Sequence, residues 1–264
     1  MNGMFRNSIG LGDLAKHSHI ADGCRDYDLD FIAISETGRR NFTQSFLDRL
    51  SGGINFQWFS RPPRGRSGGI LLGVRIDTMT VLASSDGEYH IKLDIQNKAD
   101  GFKWSLVAVY GAAQDAFKAD FLRELVNLTK DNPYPILIGG DFNFDEISHE
   151  KSKGRFDGHW PFQFTAVIDS LDLREVFMSG RQFTWANSLP EPTYEKLDRV
   201  LMDTEWENKY PMVSVRALER IVNLSDHAPI LLTTGEPRPV CKRPFKFELG
   251  WLHRDGFHDM VKKV

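Results

Sequence analysis

Cysteine is nearly absent: two occur in 264 residues, Cys24 and Cys241, far apart and without paired spacing. That excludes a disulfide framework and a thiolate zinc site, and it fits a reducing compartment. Long apolar runs are missing too. The longest, such as Ile70-Leu71-Leu72 and Ile136-Leu137-Ile138, fall far short of the ~20 residues of a membrane span. Met1-Asn2-Gly3-Met4-Phe5-Arg6 lacks the apolar core of a signal peptide. These absences predict a soluble, intracellular chain with no membrane partner. There is no excess of basic charge: 33 Lys+Arg stand against 36 Asp+Glu, for a net charge of −3. A basic coat protein is excluded, whereas nucleic-acid binding is not, because the relevant potential is local. No Gly-x-x-x-x-Gly-Lys loop, Gly-x-Ser-x-Gly elbow or His-Glu-x-x-His helix occurs. Nucleotide triphosphatase, serine hydrolase and zincin readings therefore have no support.

What is present is an ordinary globular composition, 41% hydrophobic and 26% charged. A chain this long buries roughly three-quarters of its unfolded surface and needs no staple to fold. Phe31–Ser35 and Ile70–Val74 are short apolar, β-branched runs that read as buried strands. Residues 89–96 alternate, with Tyr89, Ile91, Leu93 and Ile95 on one face, as in a half-buried antiparallel strand. Trp104–Tyr110 reads as another strand. The period then changes: Phe117, Phe121, Leu125 and Leu128 fall at helical spacing between Gln114 and Lys130. Pro135–Ile138 is the next strand, expected to break at Gly139-Gly140, and Pro161 can open a further helix. Strand-like stretches follow at 183–185, 196–202, 213–218 and 228–233. About ten strands and three or four helices predict an α/β (α+β) fold, two sheets face to face with helices outside. Residues 1–235 read as one domain, and 236–264 as a proline-rich linker and tail.

Polar groups cluster where the apolar strands begin or end, which is where such folds build sites. Glu36 follows Phe31–Ser35, Asp141 and Asn143 follow Ile136–Gly140, Asp198 interrupts an apolar run, and Asp226-His227 precedes Ala228–Leu232. Each alone has a plain explanation as a turn cap or a solvated loop residue. Asp198 is harder to dismiss, because an acid among apolar neighbours must be paired or exposed. Together they form an oxygen-rich donor set with one histidine, suited to Mg²⁺ or Mn²⁺ rather than zinc. A histidine beside an aspartate offers a polarised imidazole for proton transfer. The combination describes a phosphoester hydrolase more naturally than any other reaction class.

Ser35-Glu36-Thr37, Tyr110, Gly140-Asp141-Phe142-Asn143, Leu197-Asp198-Arg199-Val200-Leu201 and Ser225-Asp226-His227-Ala228-Pro229 follow one another over residues 7 to about 234. In order and spread they resemble the endonuclease/exonuclease/phosphatase superfamily, the deoxyribonuclease-I-like fold. Phe183-Thr184-Trp185, Lys196–Arg199 and the tail around Phe245–Glu248, Trp251 and Gly256-Phe257 resemble most the endonuclease domain of plant LINE-type (non-LTR) retrotransposon polyproteins. There the tail leads into a reverse transcriptase, which this chain, stopping at Val264, is expected to lack. The resemblance implies a four-layered αββα sandwich of two mostly antiparallel sheets. It implies that Asn7, Glu36 and Asp226 surround a divalent metal, Mg²⁺ or Mn²⁺. Asp141 would orient the attacking water, and Asn143 would hold a phosphate oxygen. Tyr110 would bond the phosphate or assist the leaving oxygen, and Asp198 would orient His227. Whether His227 acts as general base or as a stabilising cation stays open.

The first strand departs from the family pattern of apolar-Trp-Asn-x-Arg-Gly: here it reads Phe5-Arg6-Asn7-Ser8-Ile9-Gly10. Arg6 is expected to reach the surface by its long stem, leaving the tryptophan volume unfilled and the enzyme weakened. The leading functional expectation is a metal-dependent endonuclease that nicks DNA, monomeric and nuclear. The alternatives are a phosphatase acting on a small phosphoester and an inactive remnant that binds nucleic acid. Two basic loops, 61–66 and 151–155, favour the nuclease mildly.

Overall fold

The structure is a computed structural model that describes residues 1–235, apart from 64–67, 131, 145–151, 153–158 and 222, together with 256, 259 and 262. The proposed tail at 236–264, save those three positions, and residues 64–66, 151 and 153–155 of the two basic loops therefore lie outside the described residues.

Two sheets dominate. The first has the order β10 (Met178–Ser179), β14 (Ser214–Ala217), β15 (Ile230–Thr233), β1 (Asn2–Asn7), β2 (Phe31–Ser35), β4 (Ile70–Arg75), β3 (Phe56–Arg61). The second runs β5 (Met79–Asp86), β6 (His90–Asn97), β7 (Lys103–Tyr110), β8 (Ile136–Asp141), β13 (Asp198–Asp203), β9 (Leu173–Glu175). A small hairpin ladder joins β11 (Trp185–Ala186) to β12 (Tyr194–Glu195). The β1–β2, β10–β14 and β7–β8 pairs are parallel, and the remaining ladders are antiparallel, as expected.

The apolar runs are continuous because both faces of these strands are covered. Phe5, Phe31, Ala33 and Leu72 point between the sheets, onto Leu93, Trp104, Leu106 and Leu137 of the other sheet. Their sequence neighbours Met4, Ile32, Ile34 and Leu71 point the opposite way, onto α1 (Leu14–Asp26) and α2 (Gln44–Ser51). On the second sheet, Val107, Val109, Ile136 and Ile138 pack under α3 (Asp115–Lys130) and α4 (His159–Ser170). The result is the four-layered αββα sandwich. A short α5 (Thr204–Lys209) adds Trp206 to the central layer. No helix among the described residues is long and apolar enough to cross a membrane.

Three expectations are corrected. β8 does not break at Gly139-Gly140 but continues to Asp141, pairing on both sides. Glycine is needed at 139 because a Cβ would come within 2.3 Å of the Phe5 ring of the facing sheet. Phe117 does not join the core with Phe121 and Leu125; it is 44% exposed. Arg6 does not reach the surface. It is 5% exposed on the α1 side of β1, and its Nε has no hydrogen-bond partner. Burial lowers its guanidinium pKa to about 10.

Candidate active site

Six strand ends meet at one edge of the sandwich. β1 ends at Asn7, β2 just before Glu36, β7 at Tyr110 and β8 at Asp141. The antiparallel β13 starts there with Asp198, and Asp226-His227 lead into β15. The ladders fix the relative positions: Tyr110 and Asp198 are both Cα partners of Asp141, and Asn7 is the partner of Ser35. Asn7, Glu36 and His227 thus come from the first sheet, Tyr110, Asp141 and Asp198 from the second.

His227 is the hub. Its Nδ1 lies 2.8 Å from Asp198 Oδ2, a carboxylate that only accepts, so the proton sits on Nδ1. Its Nε2 faces Asp141 Oδ2 at 3.7 Å and Asp226 Oδ1 at 3.8 Å, and the Asn7 amide nitrogen at 3.4 Å. Asn7 is held by its own loop: Ile9 N–H donates to Oδ1, and Nδ2 donates to Asp141 Oδ2 at 2.9 Å. Beside this group Tyr110 donates its hydroxyl to Glu36 Oε1 at 2.6 Å. Asn143 accepts nothing from this cluster; its backbone N–H donates to Asp141 Oδ1 and its Nδ2 to the Gly111 carbonyl. Glu36 and Asn143 both adopt positive φ, 51° and 57°. Such backbones cost of order 1–3 kcal/mol each and collect at functional sites.

The charges are strongly perturbed. Burial pulls the His227 imidazolium down, but the Asp198 and Asp141 charges and the Asp198 hydrogen bond outweigh it and raise the pKa to about 10. Burial pushes the Asp141 carboxyl up; the His227 charge and Asn7 oppose this, Asp198 and Glu36 add to it, and it reaches about 7. This charge environment favours the protonated imidazole and makes the Asp141 carboxyl hold its proton more tightly than an ordinary aspartate. Tyr110 binds its proton more tightly than usual, through burial and then the Glu36 charge and hydrogen bond.

Two groupings could hold a cation. The donor atoms of Asp141, Asp198 and His227 lie within 4.8 Å of one another, yet the Asp198 oxygen and the imidazole already satisfy each other. Asp226 offers a freer donor, and Glu36 shares its charged neighbourhood, since both carboxylates act on Lys16 and Tyr110. Asp226 Oδ1 is buried without any hydrogen-bond partner, while Oδ2 is fixed by Trp185 Nε1 at 2.9 Å. A buried carboxylate oxygen left without a partner is the hard donor that suits Mg²⁺ or Mn²⁺. Asn7 Oδ1 retains one lone pair beyond its Ile9 bond, so it can join the set.

Three residues that position the site have no chemistry legible in sequence. Trp185 orients Asp226. Thr184 Oγ1 accepts from the backbone N–H groups of Leu197 and Asp198, fixing the start of β13. Ser225 Oγ donates to the Asn7 carbonyl and accepts from His227 N–H, stitching β1 to the loop that carries Asp226 and His227. The β11–β12 hairpin is clamped to that loop by Ala186 N–H on the Asp226 carbonyl and Ala228 N–H on the Thr184 carbonyl.

Residues 3–227 match the model of the Endonuclease/Exonuclease/phosphatase family. No curated protein matches. Among solved structures, the chain is similar to the 3′ phosphatase NExo from Neisseria bound to product DNA hairpin (TM-score 0.70, 14% identity, covering 89% of this chain and 99% of that one). It is also similar to the endonuclease domain of TRAS1, a telomere-specific non-LTR retrotransposon (TM-score 0.66, 14% identity, 88% and 97%). A third is truncated TDP2 of Caenorhabditis elegans (TM-score 0.59, 15% identity, 88% and 96%). The chain belongs to the Endonuclease/Exonuclease/phosphatase family.

Proposed function

We propose that this family member is a divalent-metal-dependent endonuclease that nicks DNA as a monomer, and that it is the nuclear endonuclease domain of a plant LINE-type retrotransposon protein. The observation that carries the reading is the buried imidazole of His227, gripped at Nδ1 by Asp198 and presenting Nε2 to Asp141, Asn7 and Asp226. The similarity to a retrotransposon endonuclease domain supports DNA as the substrate.

Glu36 and Asp226, with Asn7, would hold the metal, which when bound neutralises the acids and polarises the phosphoryl oxygens, worth several kcal/mol. Asp141, with its raised pKa, takes a proton from the attacking water as the new P–O bond forms. Protonated His227 stabilises the charge gathering on the phosphoryl oxygens. The tightly held Tyr110 proton makes that hydroxyl a hydrogen-bond donor rather than an acid. Asn143 keeps one free amide N–H for a phosphate oxygen and steadies Asp141 through its backbone. The P–O bond to the leaving oxygen then breaks, and that oxygen is protonated from solvent.

Nicking of supercoiled plasmid with and without Mg²⁺ or Mn²⁺ tests the reading. Metal-dependent conversion to open circles is expected. Release of phosphate from small esters without nicking would replace it with a phosphatase, and metal-independent DNA binding without turnover with an inactive remnant.

A further inference from the structure

Tyr110 has a second neighbourhood besides Glu36. It lines a cavity of about 370 Å³ together with Tyr89, Gln114, Phe117, Gly68 and Arg61. That volume lies within the roughly 300–1,000 Å³ range of small-ligand pockets. Its aromatic wall includes Phe117, the member of the α3 stripe that stays exposed while Phe121 and Leu125 are buried. Its phenyl is therefore partly open to solvent where it lines the cavity.

Part of the wall is built in advance. The backbone N–H groups of Glu88 and Tyr89 donate to the two oxygens of Glu124 at 3.0 and 2.8 Å. Tyr110 N–H donates to the Tyr89 carbonyl at 2.9 Å, and the Tyr89 ring meets Phe121 edge-on at 5.5 Å. Such a wall loses little freedom when something binds.

Charge decides the class of occupant. Arg61 is the cation among the described lining residues, and its Nη1 is engaged by Asp86 Oδ2 at 3.0 Å. Glu88 lines the cavity as well. Among the described lining residues a phosphate would meet one guanidinium already paired with Asp86 and the Glu88 carboxylate beside it, whereas a neutral flat ring would find stacking surfaces and the donor and acceptor of the Gln114 amide. We infer that this cavity receives one unstacked nucleobase of the bound strand, next to the phosphate at Tyr110, stacked on Phe117. The inference rests on the phosphodiesterase reading and adds to it a base-binding subsite and a preference for strands whose local stacking is weak.

The test uses nine-nucleotide single strands carrying one 2-aminopurine, moved through each position and mixed with the whole protein in chelator. Quenching of the probe fluorescence is expected at one position, to be lost in Phe117→Ala and retained in Phe117→Tyr. Under Mg²⁺, replacing the base at that position by an abasic analogue should slow cleavage by wild type roughly tenfold or more, the worth of one base–aromatic stack. Cleavage by Phe117→Ala should be indifferent to it. Quenching equal at all positions, or unchanged in Phe117→Ala, overturns the inference even if the protein nicks DNA. Position-specific quenching that depends on Phe117 upholds the subsite even if nicking fails, so the two readings fall separately.

Discussion

Asp141 and Asp198 lie directly opposite each other across the β8–β13 ladder, both almost fully buried. Two carboxylates in that position would repel each other in a medium that screens poorly. His227 resolves the conflict by bonding one and facing the other, which is also why its own pKa rises.

This arrangement separates catalytic from surface acids. His227→Ala should lower turnover by ~10²–10⁴, the usual worth of a positioned proton-bearing group. Asp198→Asn should also slow the reaction, by releasing the imidazole, while the folded chain persists. Asp120→Asn, on the exposed face of α3 beside Arg123, should change nothing. Equal effects from all three in a nicking assay would refute the assigned roles.

Trp185 touches the site through Asp226 and not through the imidazole side chain. Removing that one N–H, as in Trp185→Phe, should raise the Mg²⁺ concentration for half-maximal rate by ~10–100-fold, the typical cost of losing a ligand's outer hydrogen bond. The maximal rate should change much less. A metal titration of the nicking rate reads both quantities, and an unchanged half-saturation point would remove Asp226 from the metal site.

Arg6 is a buried cation beside Lys16 and His19, whose pKa values are lowered first by burial and next by Arg6. Replacing buried charge by apolar volume commonly stabilises a protein by about 1–4 kcal/mol. Arg6→Met should therefore raise the melting temperature, by about 2–4 °C per kcal/mol for a chain of this size class. A fall in the thermal melt would mean that the guanidinium is better satisfied than its unpartnered Nε indicates.

Glu124 links α3 to the β5–β6 turn by accepting from Glu88 N, Tyr89 N and His90 Nδ1. Burial opposes ionisation, but the His90 and backbone bonds prevail, and its pKa lies below the ordinary 4.5. A lowered carboxyl pKa contributes stability above the unfolded value and loses it as pH falls through the folded one. Glu124→Gln should thus cost about 1–2 kcal/mol at pH 7, with the difference from wild type shrinking below about pH 4.5. Urea melts at pH 7 and pH 3.5 measure this, and a gap that widened in acid would reverse the assignment.

Much of this was legible in the sequence, and what was not has a physical cause. The strands could be read because burial on both faces leaves unbroken apolar runs, as in Phe31–Ser35 and Ile70–Val74. The acids could be read because each sits where such a run ends. Helix α1 was hidden, since its buried stripe at 17, 20, 21 and 24 holds one large aliphatic, Ile20, beside His17, Ala21 and Cys24. Gly139-Gly140 looked like a strand end because the sequence does not show that a ring from the other sheet needs the space. The Trp185–Asp226 bond joins residues 41 apart, and no local pattern encodes such a contact.

The placement of the site across two sheets has a consequence for how activity is acquired during folding. Neither half-sandwich contains a working subset: one brings Asn7, Glu36 and His227, the other Tyr110, Asp141 and Asp198. In the proposed mechanism catalysis is thus a coincidence detector for sheet docking: it requires both sheets, held together where the Phe5 ring fills the space over Gly139.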